Sequence, residues 1–141
     1  FYGCSKLALT ELPNSITSIG AEAFRNCTKL AITKLPNEVT NLGNSSFEAC
    51  SSIPTMEVPS GVTNIPNRLF NTCSKMKYLH FKGDITSTGT YCFQFCSSLT
   101  TFVLSGVTKA FSLGSNSFGY TPIESGTGFI YVPDDLERIQ L

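Results

Sequence analysis

Six cysteines and a single histidine are the residues of this 141-residue chain best suited to reactive chemistry. Cys92 and Cys96, with His80 upstream, suggest a zinc ligand set or a cysteine–histidine nucleophile pair. Zinc requires further paired ligands at defined spacing, and the sequence has none. A nucleophilic thiol requires a base reserved for it. His80 instead occupies a column that also holds Glu11, Lys34, Glu57 and Val103, so its position tolerates any outward-facing residue. Asp134, Asp135 and Glu137 suggest paired carboxylates, but acidic residues opening a short helix are explained by capping and the helix dipole. No phosphate-cradling glycine loop and no aspartate ladder for calcium is present. The reading is of a chain with no catalytic residue, no metal ligand and no bound cofactor.

The spacing of these residues carries more information than their reactivity. Cys4, Cys27, Cys50, Cys73 and Cys96 stand 23 residues apart, and each is preceded at three residues by Phe1, Phe24, Phe47, Phe70 or Phe93. Leu7, Leu30, Ile53, Met76 and Leu99 follow three residues later, and Leu12, Leu35, Val58, Phe81 and Leu104 five further on. So many columns in one register define a tandem repeat. A unit this short cannot enclose a core alone, so the units must stack as coils of a solenoid and turn each column into an interior ladder. The core ladder comprises Phe24, Cys27, Phe47, Cys50, Phe70, Cys73, Phe93 and Cys96. Coils about 4.8 Å apart bring neighbouring thiols within disulfide range, but an in-register ladder keeps their Cβ vectors parallel. Buried free thiols packing as small hydrophobes are therefore expected, with Cys92 joining from the column of Ala23.

Alternation places Phe102 and Leu104 inward and Thr101 and Val103 outward on a main strand, which the proline after the early strands (Pro13, Pro36, Pro59) terminates. A second extended piece is expected at Val62–Ile65, a turn at the Gly20, Gly43 and Gly89 column, and one helical or 3₁₀ turn over Ala21–Cys27. In Leu7-Ala8-Leu9 and Leu30-Ala31-Ile32 the middle aliphatic comes one position early, so either those coils kink or Leu9 and Ile32 face solvent. After Cys96 the period stretches, and Phe129-Ile130-Tyr131-Val132-Pro133 repeats the strand-then-proline pattern of a sixth coil. Asp134 is placed to cap a short helix over 135–141, with Leu136 and Ile139 covering the end of the core. The chain starts within a unit, which predicts the C-terminal part of a longer array. The expected organisation is one solenoid domain over 1–141, with repeats to about 118 and a divergent last coil and cap over 119–141.

Ten Lys+Arg balance ten Asp+Glu, and charged residues are 14% of the chain, against an average of about 25%. That leaves too few cations to neutralise a phosphate backbone, so nucleic acid is not an expected partner. No apolar run reaches the length of a membrane-spanning helix, and Phe1-Tyr2-Gly3-Cys4 shows neither a charged leader nor a signal-peptide core.

The unit carried by Leu12-Pro13-Asn14-Ser15-Ile16-Thr17-Ser18-Ile19-Gly20-Ala21-Glu22-Ala23-Phe24-Arg25-Asn26-Cys27 resembles the BspA-like leucine-rich repeat. Copies run from Leu35 to Cys50 and Val58 to Cys73, with a looser one from Phe81 to Cys96. The resemblance implies a leucine-rich-repeat solenoid of the α/β horseshoe class, rich in β structure, with about six stacked coils, parallel strands, short helical turns and a C-terminal cap. It further implies a bacterial, secreted or cell-surface protein whose partner is a protein or glycan on host or neighbouring cells. It brings no catalytic residues.

Free of core duty, the outward strand columns are the expected partner-binding face. They comprise Leu9, Ile32, Thr55, Tyr78 and Thr101 in one, and Glu11, Lys34, Glu57, His80 and Val103 in the other. Lys34, Thr55, Glu57, Tyr78, His80 and Thr101 are the candidate site residues, with Tyr78 an aromatic anchor of the kind enriched at hot spots. Two functions fit: a non-catalytic binding or adhesion module, and a structural spacer whose parent protein binds elsewhere. As an isolated piece the chain is expected to be monomeric.

Overall fold

In the computed structural model, residues 1–133 are described. Eight short strands follow in chain order: β1 (Ser18–Ile19), β2 (Asn41–Leu42), β3 (Thr55–Val58), β4 (Asn64–Ile65), β5 (Tyr78–Phe81), β6 (Ser87–Thr88), β7 (Thr101–Leu104) and β8 (Phe129–Tyr131). All pairing between them is parallel, in three sheets ordered β1-β2, β3-β5-β7-β8 and β4-β6. Each of β3, β5 and β7 meets its neighbour one repeat away, so Met56 faces Leu79 and Leu79 faces Phe102. The result is a β-solenoid in which the main sheet shows about four turns. The second extended piece is shorter than expected, confined to Asn64–Ile65 and its equivalents.

The first two units contribute no main strand, because the early aliphatic disturbs the pleat. In the second unit the chain kinks and Ile32 turns fully into the core, leaving a single bridge from Lys34 to Glu57. Ile32 therefore does not belong to the outward face. In the first unit the same slip leaves Leu9 39% exposed. The two outcomes open from the sequence are realised once each.

The expected helical turn over 21–27 is absent, and no helix occurs among the described residues. Glu22 and Asn26 adopt φ of 57° and 61°, and the same two positions are left-handed in the pairs Ser45/Ala49, Arg68/Thr72, Tyr91/Phe95 and Asn116/Tyr120. A left-handed residue at every fourth position breaks a right-handed helix. It also makes successive amides point different ways. Ala23, Arg25 and Cys27 donate three residues back, to Gly20, Glu22 and Phe24, while Glu22, Phe24 and Asn26 donate to Asn44, Ser46 and Glu48 of the next coil. In a helix the whole segment would bond to itself. Here half its amides are free to join coils.

Glycine in the Gly43, Gly89 and Gly114 column is required for space. A Cβ at Gly43 would strike the backbone of Ala21, and one at Gly114 the carbonyl of Gly89. Inside, the phenylalanine column stacks: Phe1–Phe24, Phe24–Phe47 and Phe47–Phe70 have ring centroids 5.6, 5.4 and 5.5 Å apart. Phe93 then tilts to meet Phe102 of the main sheet at 5.0 Å and stacks on Phe118 at 5.2 Å. The turn segment and the main strand thus meet across one core. The helical cap expected from Asp134 onward lies outside the described residues.

Truncating a ring in the middle of this stack removes contacts to both neighbours at once. Phe47→Ala is expected to lower stability by about 3–5 kcal/mol in urea unfolding, whereas Thr55→Ala on the outer face stays within about 0.5 kcal/mol. Equal losses from the two would contradict the ladder.

Candidate functional site

The six cysteines, the side chains best suited to reactive chemistry, are all free, and five are buried. The thiols of Cys27, Cys50, Cys73 and Cys96 donate to the carbonyl oxygens of Phe1, Phe24, Phe47 and Phe70 one coil earlier, at 3.1, 3.1, 3.2 and 3.1 Å. Each of those carbonyls already accepts the amide of the cysteine in its own coil, as Phe24 does from Cys27 at 3.0 Å. The thiol occupies the second lone pair. Cys92 similarly donates to Gly89 and Pro66. Burial pushes the thiols of Cys50, Cys92 and Cys96 up to about 12, that of Cys73 well above its usual value, and that of Cys27 upward. A thiol held protonated is neither a nucleophile nor a metal ligand. Among the described residues no three His, Cys, Asp or Glu side chains converge as a metal site.

His80 lies on the other side of its strand, facing out. The parallel register lines up two rows on that face. Thr55, Tyr78 and Thr101 form one, continued by Phe129 of β8; Glu57, His80 and Val103 form the other, continued by Tyr131. Lys34 extends the second row through its bridge to Glu57. All six residues expected at the site therefore share one surface. Phe129 and Tyr131, 62% and 54% exposed, complete it. Sequence reading recognised their strand but did not carry its alternation through to the face, although the odd positions of Phe129-Ile130-Tyr131 hold that signal.

The centre of the face is polar and largely paired with itself. His80 Nε2 lies 2.7 Å from Ser105 Oγ, and its Nδ1 lies 3.4 Å from the Tyr78 hydroxyl, with the two rings edge to face. Lys82 pairs with Glu57 at 3.5 Å. Partial burial, and then the Lys82 ammonium, lower the His80 pKa below its ordinary 6.5, against the opposing pull of Glu57. Both effects favour the neutral imidazole. Toward β8 the face becomes aromatic and opens into a shallow groove of about 210 Å³ between Val103, Ser105, Tyr131 and Pro133. A larger hollow of about 530 Å³ lies at the end of the solenoid, where Leu12, Ile16 and Phe24 of the first coil form the last rung of the core. The sheet face suits recognition by shape, stacking and a few hydrogen bonds.

Residues 1–139 match the family described as BspA type leucine-rich repeat region, in six copies. No curated protein matches the chain. Among solved structures, a leucine-rich repeat protein from Bacteroides ovatus is similar at 17% identity with a TM-score of 0.42, over 99% of this chain and 58% of that one. The chain thus spans little more than half the length of that protein.

Two measurements check the electrostatics. Native protein is expected to leave the five buried cysteines unalkylated at pH 8, with all six labelled once urea unfolds it; rapid native labelling of Cys50 or Cys96 would contradict the burial. A thiol whose pKa rises on folding stabilises the folded state below its unfolded value and loses that contribution as pH climbs. Stability should therefore fall between the ordinary thiol value of 9.0 and about 12, less steeply in Cys96→Ala than in the parent chain. On the face, Lys82→Ala should raise the His80 pKa and Glu57→Gln lower it, as followed by NMR titration.

Proposed function

The chain belongs to the BspA-type leucine-rich repeat family, and from that premise we propose a non-catalytic module that binds a protein or glycan partner through the outer face of its main sheet. Leucine-rich repeats serve in general as protein-interaction or structural modules. The observation that carries the reading is the pair of continuous rows, Thr55-Tyr78-Thr101-Phe129 and Lys34-Glu57-His80-Val103-Tyr131, on a surface with no core duty. Their composition, aromatic at one end and polar at the other, suits a binding patch with a stacking anchor and hydrogen-bonding surroundings. In this reading the whole chain is one solenoid domain of about six coils, monomeric, displayed outside the cell or at its surface. No helix among the described residues is long and apolar enough to cross a membrane.

The self-pairing of Lys82 with Glu57 and of His80 with Ser105 favours a second reading. A face whose polar groups satisfy one another suits a spacer that holds another domain away from the surface. Labelled chain applied to arrays of matrix proteins and glycans separates the two. In the binding reading, the combined change Glu57→Ala, Tyr78→Ala and His80→Ala weakens the captured signal by at least about tenfold while the melting temperature stays near that of the parent. An unchanged signal from folded variant rejects the face and leaves the spacer.

A further inference from the structure

The turn segments across the core from the main sheet carry a charge pattern that the sheet face does not share. Arg25 lies over the Tyr2 ring at 5.8 Å and approaches the carboxylates of Glu22 and Glu48, each at 3.4 Å. Arg68 lies over the Tyr91 ring at 5.3 Å and approaches the same Glu48 at 3.8 Å. Each guanidinium thus has an aromatic ring against it and a carboxylate within reach. The two arrangements share Glu48, which is almost fully buried between them.

Further along the same ridge the ring and the carboxylate recur, with no cation against them among the described residues. Phe95 and Tyr120, in equivalent positions of adjacent coils, stack at 4.8 Å with their planes 12° apart, yet remain 43% and 69% exposed. Both are left-handed, with φ of 62° and 60°, where the earlier coils place Gly3, Asn26, Ala49 and Thr72. A bulky aromatic is an expensive choice at such φ, and burial does not offset it here. Glu124 Oε2 accepts the Tyr120 amide hydrogen at 2.6 Å, which holds the carboxylate near the base of the ring. Among the described residues no cation–π contact involves Tyr120 and no ion pair involves Glu124. From Ile85 to Ile123 the sequence contains one charged residue, Lys109, so the Glu124 carboxylate dominates this end of the ridge.

We propose that Phe95, Tyr120 and Glu124 form a docking site for an arginine side chain of a protein partner. The guanidinium stacks on the exposed Tyr120 ring and pairs with Glu124, completing what Arg25 and Arg68 complete within the chain. Arginine suits this site better than lysine because its planar group stacks and bonds to a carboxylate at the same time. The proposal rests on the ridge alone and is independent of the sheet face.

The test is NMR titration of the full chain with acetyl-Gly-Ser-Arg-Ser-Gly-amide and with the same peptide carrying citrulline in place of arginine. Saturable shifts at the Tyr120 ring and at Glu124 are expected. Binding should be about tenfold weaker for the citrulline peptide, and similarly weakened in Tyr120→Ala and in the conservative Glu124→Gln. Equal response to the two peptides, or full binding by Glu124→Gln, overturns the proposal. So does a stronger response to maltohexaose, which would make the site a glycan platform. A shift of the Tyr120 signals by Arg138→Gln alone, with no peptide added, also overturns it, since the chain's own arginine would then be the occupant.

Discussion

Everything in this solenoid depends on backbone hydrogen bonds between coils that lie one repeat apart. A 23-residue coil has no interior of its own, so its amides must reach the coils above and below. On the main sheet the extended backbone does this by ordinary parallel pairing. Across the core the chain must also turn sharply, and a helix would direct every amide along its own axis. The left-handed residues at two positions per unit resolve that conflict. They let the backbone turn while Phe24, Phe47, Phe70 and Phe93 each keep an amide for the next coil.

The cysteine column follows from the same requirement. Once Phe24 has accepted the amide of Cys27, its carbonyl still has a lone pair facing the following coil, within a buried apolar core. A cysteine there supplies a weak donor on an otherwise apolar, compact side chain. Serine offers a stronger donor but a more polar one, and alanine offers none. The five buried thiols are donors to the backbone, held protonated by burial.

Side chains that the ladder presents without using fall on two surfaces. The main sheet sets out side chains in rows, neutral overall, with a polar centre anchored on His80 and an aromatic end at Phe129 and Tyr131. The opposite ridge organises charge instead, through guanidinium groups that lie over rings and within reach of carboxylates. Because both are built by repetition, each presents its side chains in lines about one strand spacing apart.

By itself the sequence determined the period, the inward columns, the parallel stacking and six residues of the outer face. Each of these is a one-dimensional pattern: a repeat too short for a core must stack, and alternation assigns sides. Only the tertiary structure decided which way Leu9 and Ile32 turned, because the same slip is resolved by whatever packs against it. It also decided the left-handed positions. Glu22, Ser45, Arg68 and Tyr91 share no residue type that marks such a backbone, and what holds them there is the bond to the next coil. The pairing of Phe95 with Tyr120, and the company Glu124 keeps with them, likewise belongs to neighbouring coils in contact. A shared column places Phe95 beside Tyr120, but that their rings stack and that Glu124 reaches the Tyr120 amide is settled only by the folded backbone.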